Sequence, residues 1–427
     1  MTLPPPIPQL YIPTPQKKVD HASVWQLVLG VISMINIFAL AAGVIFLAAM
    51  SKSSSPELSL SLNKLTPYLI LAAGLQVAVF FSVFFAIRKL MGHSSSSIWI
   101  NKWHLLIAAI LLVGWGIVIY FGSTSNFWGH LGAIEIPVKI LSILAPIYAF
   151  VSLALYHLQA GPRQRGWGLF NVTSFVSMFV IMLVEIVLLV AGVGAAFAWL
   201  SKKVDLYGYF LALSNGAQMG AQDAQLLVQQ ITPYVDKNML IVICLLFFSV
   251  LAPLTEELLK PLGVWFLAGK KLTPSEGFAA GVFCGATFGV LESLSMLSVS
   301  NDLWQVLVVA RVGTALMHTL TAGLTGWALA KTWQDHHYSR LSFTYLAVVL
   351  IHGVWNAFAI LMGLINIGQP SNSAFLTFLM SNSTWFLAGL GVIMLFVLLL
   401  MNYRLRKSLT PPDIPNFSDT LVDHIEQ

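Results

Sequence analysis

The chain has 427 residues, of which 57% are hydrophobic and only 9% are charged. Soluble globular proteins contain about 25% charged residues, so this composition excludes an ordinary soluble domain. The formal net charge is +5, but the Lys and Arg residues are spread over short loops. Because they form no basic stripe, the sequence argues against a nucleic-acid partner. It predicts an integral membrane protein in contact with the lipid bilayer.

Ten apolar runs are long enough to cross a bilayer, since about 20 helical residues span its hydrocarbon layer. They predict an all-α fold, a polytopic bundle of about ten transmembrane helices. The runs lie near residues 24–50, 68–87, 105–121, 136–156, 175–200, 240–268, 277–299, 303–330, 343–365 and 385–401.

The loops between these runs alternate between rich and poor in basic residues. Because cytoplasmic loops are enriched in Lys and Arg, this alternation predicts that both termini lie in the cytoplasm. We expect a multi-pass protein of the bacterial cytoplasmic membrane. The two cysteines, Cys244 and Cys284, fall inside predicted spans. They therefore predict neither a disulfide framework nor a thiolate metal site.

Some ionisable residues predict structural roles. Glu135 and Lys139 are four residues apart at the start of the fourth span, a spacing that favours an ion pair. Glu185 is a lone carboxylate in the fifth span, and we expect it to be protonated or hydrogen-bonded. The Asp-His-His sequence at residues 335–337 predicts a solvated turn in a short loop, and not a metal site.

The sixth span contains an unusual stretch, Leu-Ala-Pro-Leu-Thr-Glu-Glu-Leu-Leu-Lys at residues 251–260. An ionised side chain at bilayer depth costs about 2.5 to 3.5 kcal/mol, so such residues usually face the bundle interior and mark a functional site. Lys260 is four residues from Glu256 and three from Glu257, and it can lie beside either. The two carboxylates point about 100° apart, so that one can face a cavity while the other makes a structural bond.

Three later spans carry further polar groups. The seventh carries Glu292 among glycines spaced four residues apart, a pattern that lets another helix approach closely. The eighth carries His318, and the ninth carries His352 and Asn356 on one helix face. Counted from the cytoplasmic ends, the carboxylates of Glu256 and Glu292 and both imidazoles lie about 14 to 22 Å deep. This shared depth predicts one polar site.

Two carboxylates and two imidazoles can hydrolyse an amide by either of two routes. In the first, Glu292, His318 and His352 hold a divalent metal such as zinc, and Glu256 deprotonates the bound water. In the second no metal is present. Glu256 or Glu257 then activates water, while the imidazole and the amide of the ninth span stabilise the oxyanion. The sequence contains no HExxH motif and no serine or cysteine nucleophile motif, so both routes stay open.

Four motifs between about residues 240 and 360 resemble those of the PrsW family of intramembrane proteases. They are more distantly similar to those of the CAAX prenyl proteases and of bacteriocin-processing membrane proteins, although the prenyl branch has His in place of the second-motif Glu. The resemblance implies cleavage of membrane-anchored proteins within or near the bilayer. The catalytic residues that it implies are Glu256, Glu257, Glu292, His318 and His352, with Asn356 beside them. The motifs are EExxK at Glu256, Glu257 and Lys260, FxxxE at Phe288 and Glu292, the isolated His318, and HxxxN at His352 and Asn356.

Two other function classes use buried polar residues. An ion-coupled transporter could use a Glu and His relay, but it should show repeated halves, and the first five spans do not resemble the last five. A non-catalytic scaffold of the same superfamily would not need the complete polar set. We therefore expect an intramembrane endopeptidase that hydrolyses a peptide bond in or near the membrane segment of a membrane-anchored protein, with or without a bound metal.

This interpretation divides the chain into six parts. They are a Pro-rich cytoplasmic leader (1–22), an N-terminal five-helix membrane region (23–200), an external loop (201–239), a four-helix catalytic membrane core (240–365), the last transmembrane helix with its preceding loop (366–402), and a cytoplasmic tail (403–427).

Overall fold

The structure of the chain is a computed structural model. Helices make up most of it, and the residues that it describes contain one short two-stranded sheet. The described residues are 20–54, 62–122, 127–208, 211, 229–231, 233–235, 237–298, 301–366 and 373–408.

The long helices follow the order of the apolar runs. Two of the spans consist of helical pieces joined by a π-helical turn. The helices are α1 (His21–Ser54), α2 (Leu62–Leu90), α3 (Lys102–Gly122), α4 (Phe127–Leu131), α5 (Glu135–Leu155), α6 (Arg163–Val172), α7 (Met178–Leu200), α8 (Lys237–Leu246), α9 (Ala252–Leu259), α10 (Leu262–Trp265), α11 (Pro274–Leu294), α12 (Asn301–Asp335), α13 (Tyr338–Asn366) and α14 (Ala374–Lys407). The π-helical turns are Thr173–Ser177, between α6 and α7, and Phe247–Leu251, between α8 and α9.

Ten helical segments of the described chain are long and apolar enough to cross a membrane. Each coincides with one of the ten predicted runs, so the predicted all-α polytopic bundle is confirmed. The segments are His21–Leu47, Leu65–Leu90, Lys102–Gly122, Glu135–Leu155, Arg163–Leu200, Asn238–Trp265, Pro274–Leu294, Trp304–Asp335, Tyr338–Leu364 and Ala374–Lys407.

The last span begins well before the apolar run that predicted it. Helix α14 starts at Ala374, with the Ser373 side chain as its N-cap, whereas the apolar run starts near residue 385. The polar part between them is also helical, and the hydroxyl groups of Ser381 and Ser383 are satisfied there by donating to carbonyl groups one turn earlier in the same helix. Hydropathy therefore locates the apolar centre of this helix but not its start.

A small antiparallel sheet joins the two loops that follow α2 and α5. Strand β1 (Ser97–Trp99) pairs with β2 (Gln159–Pro162). Just beyond β2, Arg165 forms an ion pair of 2.9 Å with Glu276 in the first turn of α11. These contacts fasten the N-terminal helices to the later ones. Strands this short carry no periodic signal, so the sequence did not predict them.

The ion pair predicted at the start of α5 is confirmed. The ammonium nitrogen of Lys139 lies 2.8 Å from a carboxylate oxygen of Glu135. The same nitrogen lies 5.1 and 5.2 Å from the ring centroids of Trp128 and Trp304, in the range of cation–π attraction. This buried lysine therefore joins α4, α5 and α12.

The Asp-His-His sequence at residues 335–337 forms the turn that ends α12. Asp335 accepts hydrogen bonds from the Arg340 side chain at 2.6 Å and from the backbone nitrogen of His337 at 3.2 Å. His336 adopts a left-handed conformation with φ of 58°. The carboxylate is thus occupied by the turn, as the sequence predicts.

Parts of the predicted division lie outside the described residues. These are residues 1–19 of the leader, residues 409–427 of the tail and most of the external loop at 201–239. The six-part division and the cytoplasmic orientation of the termini stay predictions.

Helices α11 and α12 approach each other very closely. An added Cβ atom at Gly285 would lie 2.0 Å from the carbonyl oxygen of His318, and one at Gly281 would lie 2.0 Å from that of Ala322. Real Cβ atoms do not approach backbone atoms this closely, so both positions require glycine. The glycine face predicted from the sequence therefore lets α11 place Glu292 next to His318.

We expect Gly285→Ala to lower the free energy of unfolding by about 1 to 3 kcal/mol, because the new methyl group would overlap the backbone of α12. Thermal unfolding of the detergent-solubilised protein measures this effect. Gly389→Ala in α14 is the matched control, since nothing lies within 4 Å of an added Cβ atom there. Equal stability of the two variants would contradict the proposed contact.

Candidate active site

The sixth span reaches the site through a wide helical turn. The π-helical turn Phe247–Leu251 precedes Pro253, which has no backbone donor. Helix α13 supports the turn, since the side-chain amide of Asn356 donates to the carbonyl of Phe248 at 2.9 Å. An added Cβ at Gly353 would lie 2.3 Å from the carbonyl oxygen of Ser249, so the two helices touch here. The turn sets the rotation of α9 and thus the directions of its two glutamates.

Glu257 makes the internal bonds of the site. Its Oε1 atom accepts from the ammonium group of Lys260 at 2.7 Å and lies 2.7 Å from Nδ1 of His352. The side chains of Glu257 and Lys260 are both fully buried, and that of His352 is 2% exposed. A carboxylate that hydrogen-bonds one ring nitrogen fixes the orientation of a histidine and directs the other nitrogen outward. Here that second nitrogen, Nε2 of His352, faces Glu256.

His318 is held between three helices. Its Nδ1 atom lies 2.8 Å from the ammonium nitrogen of Lys260, and its Nε2 atom lies 2.7 Å from Oε2 of Glu292. The ring packs against Phe288, with centroids 5.0 Å apart, and lies 5.3 Å from the ring of His352. Both imidazoles are therefore buried and fixed by contacts on more than one side.

Glu256, His318 and His352 come together at the centre of the site. Each offers one ligand atom, and these three atoms lie within 4.8 Å of one another. The Oε2 atom of Glu256 is buried and accepts no hydrogen bond from the described residues, although it lies 3.6 Å from the ammonium nitrogen of Lys260 and 4.0 Å from Nε2 of His352. A buried carboxylate oxygen that accepts no hydrogen bond is costly unless another group binds it. Two imidazole nitrogens and a carboxylate oxygen form a donor set that zinc accepts. A divalent metal there would replace the contacts of the Lys260 ammonium group with Nδ1 of His318 and with Glu256.

The residues that come together differ from the metal ligands of the first predicted route, which were Glu292, His318 and His352. The structure places Glu256 next to the two histidines, whereas Glu292 bonds to His318 and forms an ion pair with Arg311. The amide of Asn356 donates to a backbone carbonyl. The proposed metal role of Glu292 and the oxyanion role of Asn356 stay predictions.

Sequence reasoning missed Arg311. This residue lies two helical turns before His318 on the same face of α12, and a charge at this depth was the signal that could have identified it. One of its nitrogens lies 2.6 Å from Oε2 of Glu292. The arginine therefore contacts the carboxylate that contacts His318.

Glu185 lies on α7, which packs against α9. Its carboxylate lies within electrostatic range of Glu256, Glu292 and Lys260. Its Oε1 atom is buried and has no hydrogen-bond partner among the described residues. The sequence favoured a protonated or hydrogen-bonded structural role, because no motif surrounds this residue. Its proximity to the site results from the packing of α7 against α9, which the sequence does not reveal.

A family model described as PrsW family intramembrane metalloprotease matches residues 198–401. This region is PrsW-like. No curated protein and no solved structure matches the chain. The match confirms the resemblance to the PrsW family, while the more distant likeness to CAAX prenyl proteases stays a prediction.

The PrsW-like region contains the helices that carry the three candidate ligands. The chain is thus an integral, multi-pass membrane protein with an intramembrane metalloprotease-like half. Helices α1 to α6 and almost all of α7, including Glu185, lie outside the match.

We expect Lys260→Met to lower the free energy of unfolding by about 3 to 5 kcal/mol, because it would leave the charge of Glu257 buried and unpaired. The double variant Glu257→Gln with Lys260→Met should recover part of the loss. Thermal unfolding measures both. Lys270→Met, at an exposed position after the span, serves as the control. A single variant as stable as this control would show that the pair does not stabilise the fold.

Proposed function

We propose that the protein is an intramembrane metalloprotease that hydrolyses a peptide bond in or near the membrane segment of a membrane-anchored protein. The observation that carries this proposal is the convergence of Glu256, His318 and His352, whose ligand atoms lie within 4.8 Å of one another. The PrsW-like match supports the same reaction class. Residues 240–365 would form the catalytic core, in a bacterial cytoplasmic membrane.

The location of these residues supports a membrane-anchored substrate. Glu256, His318 and His352 each lie well inside a helical segment that is long enough to span the bilayer. These segments are Asn238–Trp265, Trp304–Asp335 and Tyr338–Leu364. A peptide bond must therefore enter the membrane layer to reach these three residues. A chain that is already anchored in the bilayer meets this requirement without burying a soluble domain.

We assign the metal to Glu256, His318 and His352. A divalent metal bound there supplies a Lewis acid that polarises the scissile carbonyl group and makes water more acidic. Glu257 orients His352 by its bond to Nδ1 and leaves Nε2 directed at Glu256. The ammonium group of Lys260 balances the charge of Glu257, so that the carboxylate can stay ionised inside the bundle.

With Glu256 as a ligand, a different carboxylate must accept the proton of the attacking water. We propose Glu185 for this step. Its Oε1 atom is buried and has no hydrogen-bond partner within the described structure, and its helix, α7, packs against α9, which carries Glu256. Glu257 also has a free oxygen, but its other oxygen is shared by Lys260 and His352. These two bonds give Glu257 the role of holding Lys260 and His352 in place.

The proposed activity is tested with purified protein and transmembrane peptide substrates. Wild-type protein should cleave them, and Glu256→Ala, Glu257→Ala and His352→Ala should not. Glu276→Ala, which removes the ion pair with Arg165 at the start of α11, should cleave as wild type does. Chelation should stop cleavage, and elemental analysis should find a bound metal. Equal cleavage by all variants would overturn the proposal.

Glu256→Gln separates the two roles considered for this residue. As a ligand, Glu256 contributes to metal binding, and we expect zinc affinity to fall at least about tenfold in the variant. As a general base without a ligand role, it would leave zinc affinity unchanged while the rate fell by about 10² to 10⁴. Competition with a chromophoric chelator measures the affinity, and peptide cleavage measures the rate.

Glu185→Gln should lower kcat by about 10² while zinc affinity stays that of wild type, because it removes a proton acceptor and no ligand. The same two assays apply. Glu276→Gln, at the start of α11, is the control for a Glu→Gln change elsewhere in the protein. If Glu185→Gln turned over substrate normally, another group would have to accept the proton.

A further inference from the structure

The guanidinium group of Arg311 is held at three points on α11. One nitrogen donates to Oε1 of Glu292 at 3.0 Å, and a second lies 2.6 Å from Oε2 of the same carboxylate. The Nε–H group donates to the hydroxyl of Ser293 at 3.2 Å. A two-point contact between guanidinium and carboxylate fixes orientation as well as distance. The carboxylate plane of Glu292 is thus set by Arg311.

Glu292 passes this constraint to His318. Its Oε2 atom, which the arginine holds, lies 2.7 Å from Nε2 of the histidine. The opposite ring nitrogen, Nδ1, points to the sixth span and lies 2.8 Å from Lys260. A ligand bond from His318 would therefore have to form on the Nδ1 side, in place of the contact with Lys260, whose ammonium group also lies 3.6 Å from Glu256.

We infer that Arg311 is a positioning residue for His318, acting through Glu292, and that Glu292 orients a metal ligand without being one. This inference rests on the proposed metal role of Glu256, His318 and His352. Carboxylates that hydrogen-bond the second nitrogen of a metal-binding histidine fix the ring and its tautomer. Arg311 in turn fixes the carboxylate group of Glu292.

The burial of the group fits this role. The side chain of Arg311 is 16% exposed and that of His318 is 1% exposed, in segments that cross the membrane. A small cavity beside the arginine is lined by Ser142, Pro146 and Ser293. Arg311, which belongs to α12, thus lies near both α5 and α11. Helix α5 of the N-terminal region therefore lines the space beside the arginine. A flexible lysine at this position would keep the charge but not the two-point contact.

The test uses Arg311→Lys and Arg311→Gln in the full chain. Arg165→Lys is the matched control, because Arg165 forms an ion pair of 2.9 Å with Glu276 far from the candidate ligands. The probes are zinc alone, titrated against a chromophoric chelator, and cobalt alone, whose visible absorption reports ligand geometry. Thermal unfolding is measured in parallel to separate positioning from loss of fold.

We expect both Arg311 variants to bind zinc about 10 to 100 times more weakly, with an altered cobalt spectrum, while Arg165→Lys matches wild type. Glu292→Gln should weaken zinc to a similar extent, and the double variant with Arg311→Gln should be no worse than Glu292→Gln alone. Arg311→Lys keeps a positive charge at this position and so keeps the test valid if Arg311→Gln does not fold.

Three results would overturn the inference. Wild-type zinc affinity and cobalt spectrum in folded Arg311→Lys would assign the ion pair to stability alone. A complete loss of zinc in Glu292→Gln, with Arg311→Gln unaffected, would make Glu292 a ligand. A wild-type protein that binds neither ion would overturn the proposed metal role itself, and this inference with it.

Discussion

A single buried ammonium group holds the polar centre together. The nitrogen of Lys260 lies 2.7 Å from Glu257, 3.6 Å from Glu256 and 2.8 Å from Nδ1 of His318. Two adjacent carboxylates on one membrane helix would otherwise repel each other and carry the full cost of desolvation. The lysine offsets this cost from within the same helix and also reaches α12. Without it, within the described part of the chain, Glu257 would keep only its contact with His352, and the His318 ring nitrogens only the contact with Glu292.

Two features of the backbone determine where these charges meet. The glycine face of α11 lets α12 approach closely enough for Glu292 to reach His318. The π-helical turn in the sixth span, supported by Asn356, sets the direction of α9. Neither feature is itself charged. The chemistry of the site thus depends on residues such as Gly285 that would never contact a substrate.

The sequence predicts the ten spans and the shared depth of the polar groups well, because both follow from composition and from a constant helical rise. It does not predict which carboxylate lies beside the two histidines, since that depends on helix rotation. Glu256 and Glu292 have similar depths, and only the packing of α9 and α11 distinguishes them. Arg311 and Glu185 lie outside the four motifs, so their proximity to the site emerges only from tertiary structure.

The π-helical turn at Phe247–Leu251 has an implication for sequence comparison. A π turn accommodates one additional residue in a helix while the flanking segments keep their faces. Counting in steps of three or four residues from α8 into α9 therefore slips by one position. Relatives with a regular helix here should align with a one-residue gap inside the turn and still direct their glutamates inward. Loss of the one extra residue within this turn would therefore preserve the directions of Glu256 and Glu257, whereas loss of a residue elsewhere in a span would rotate every later side chain by about 100°.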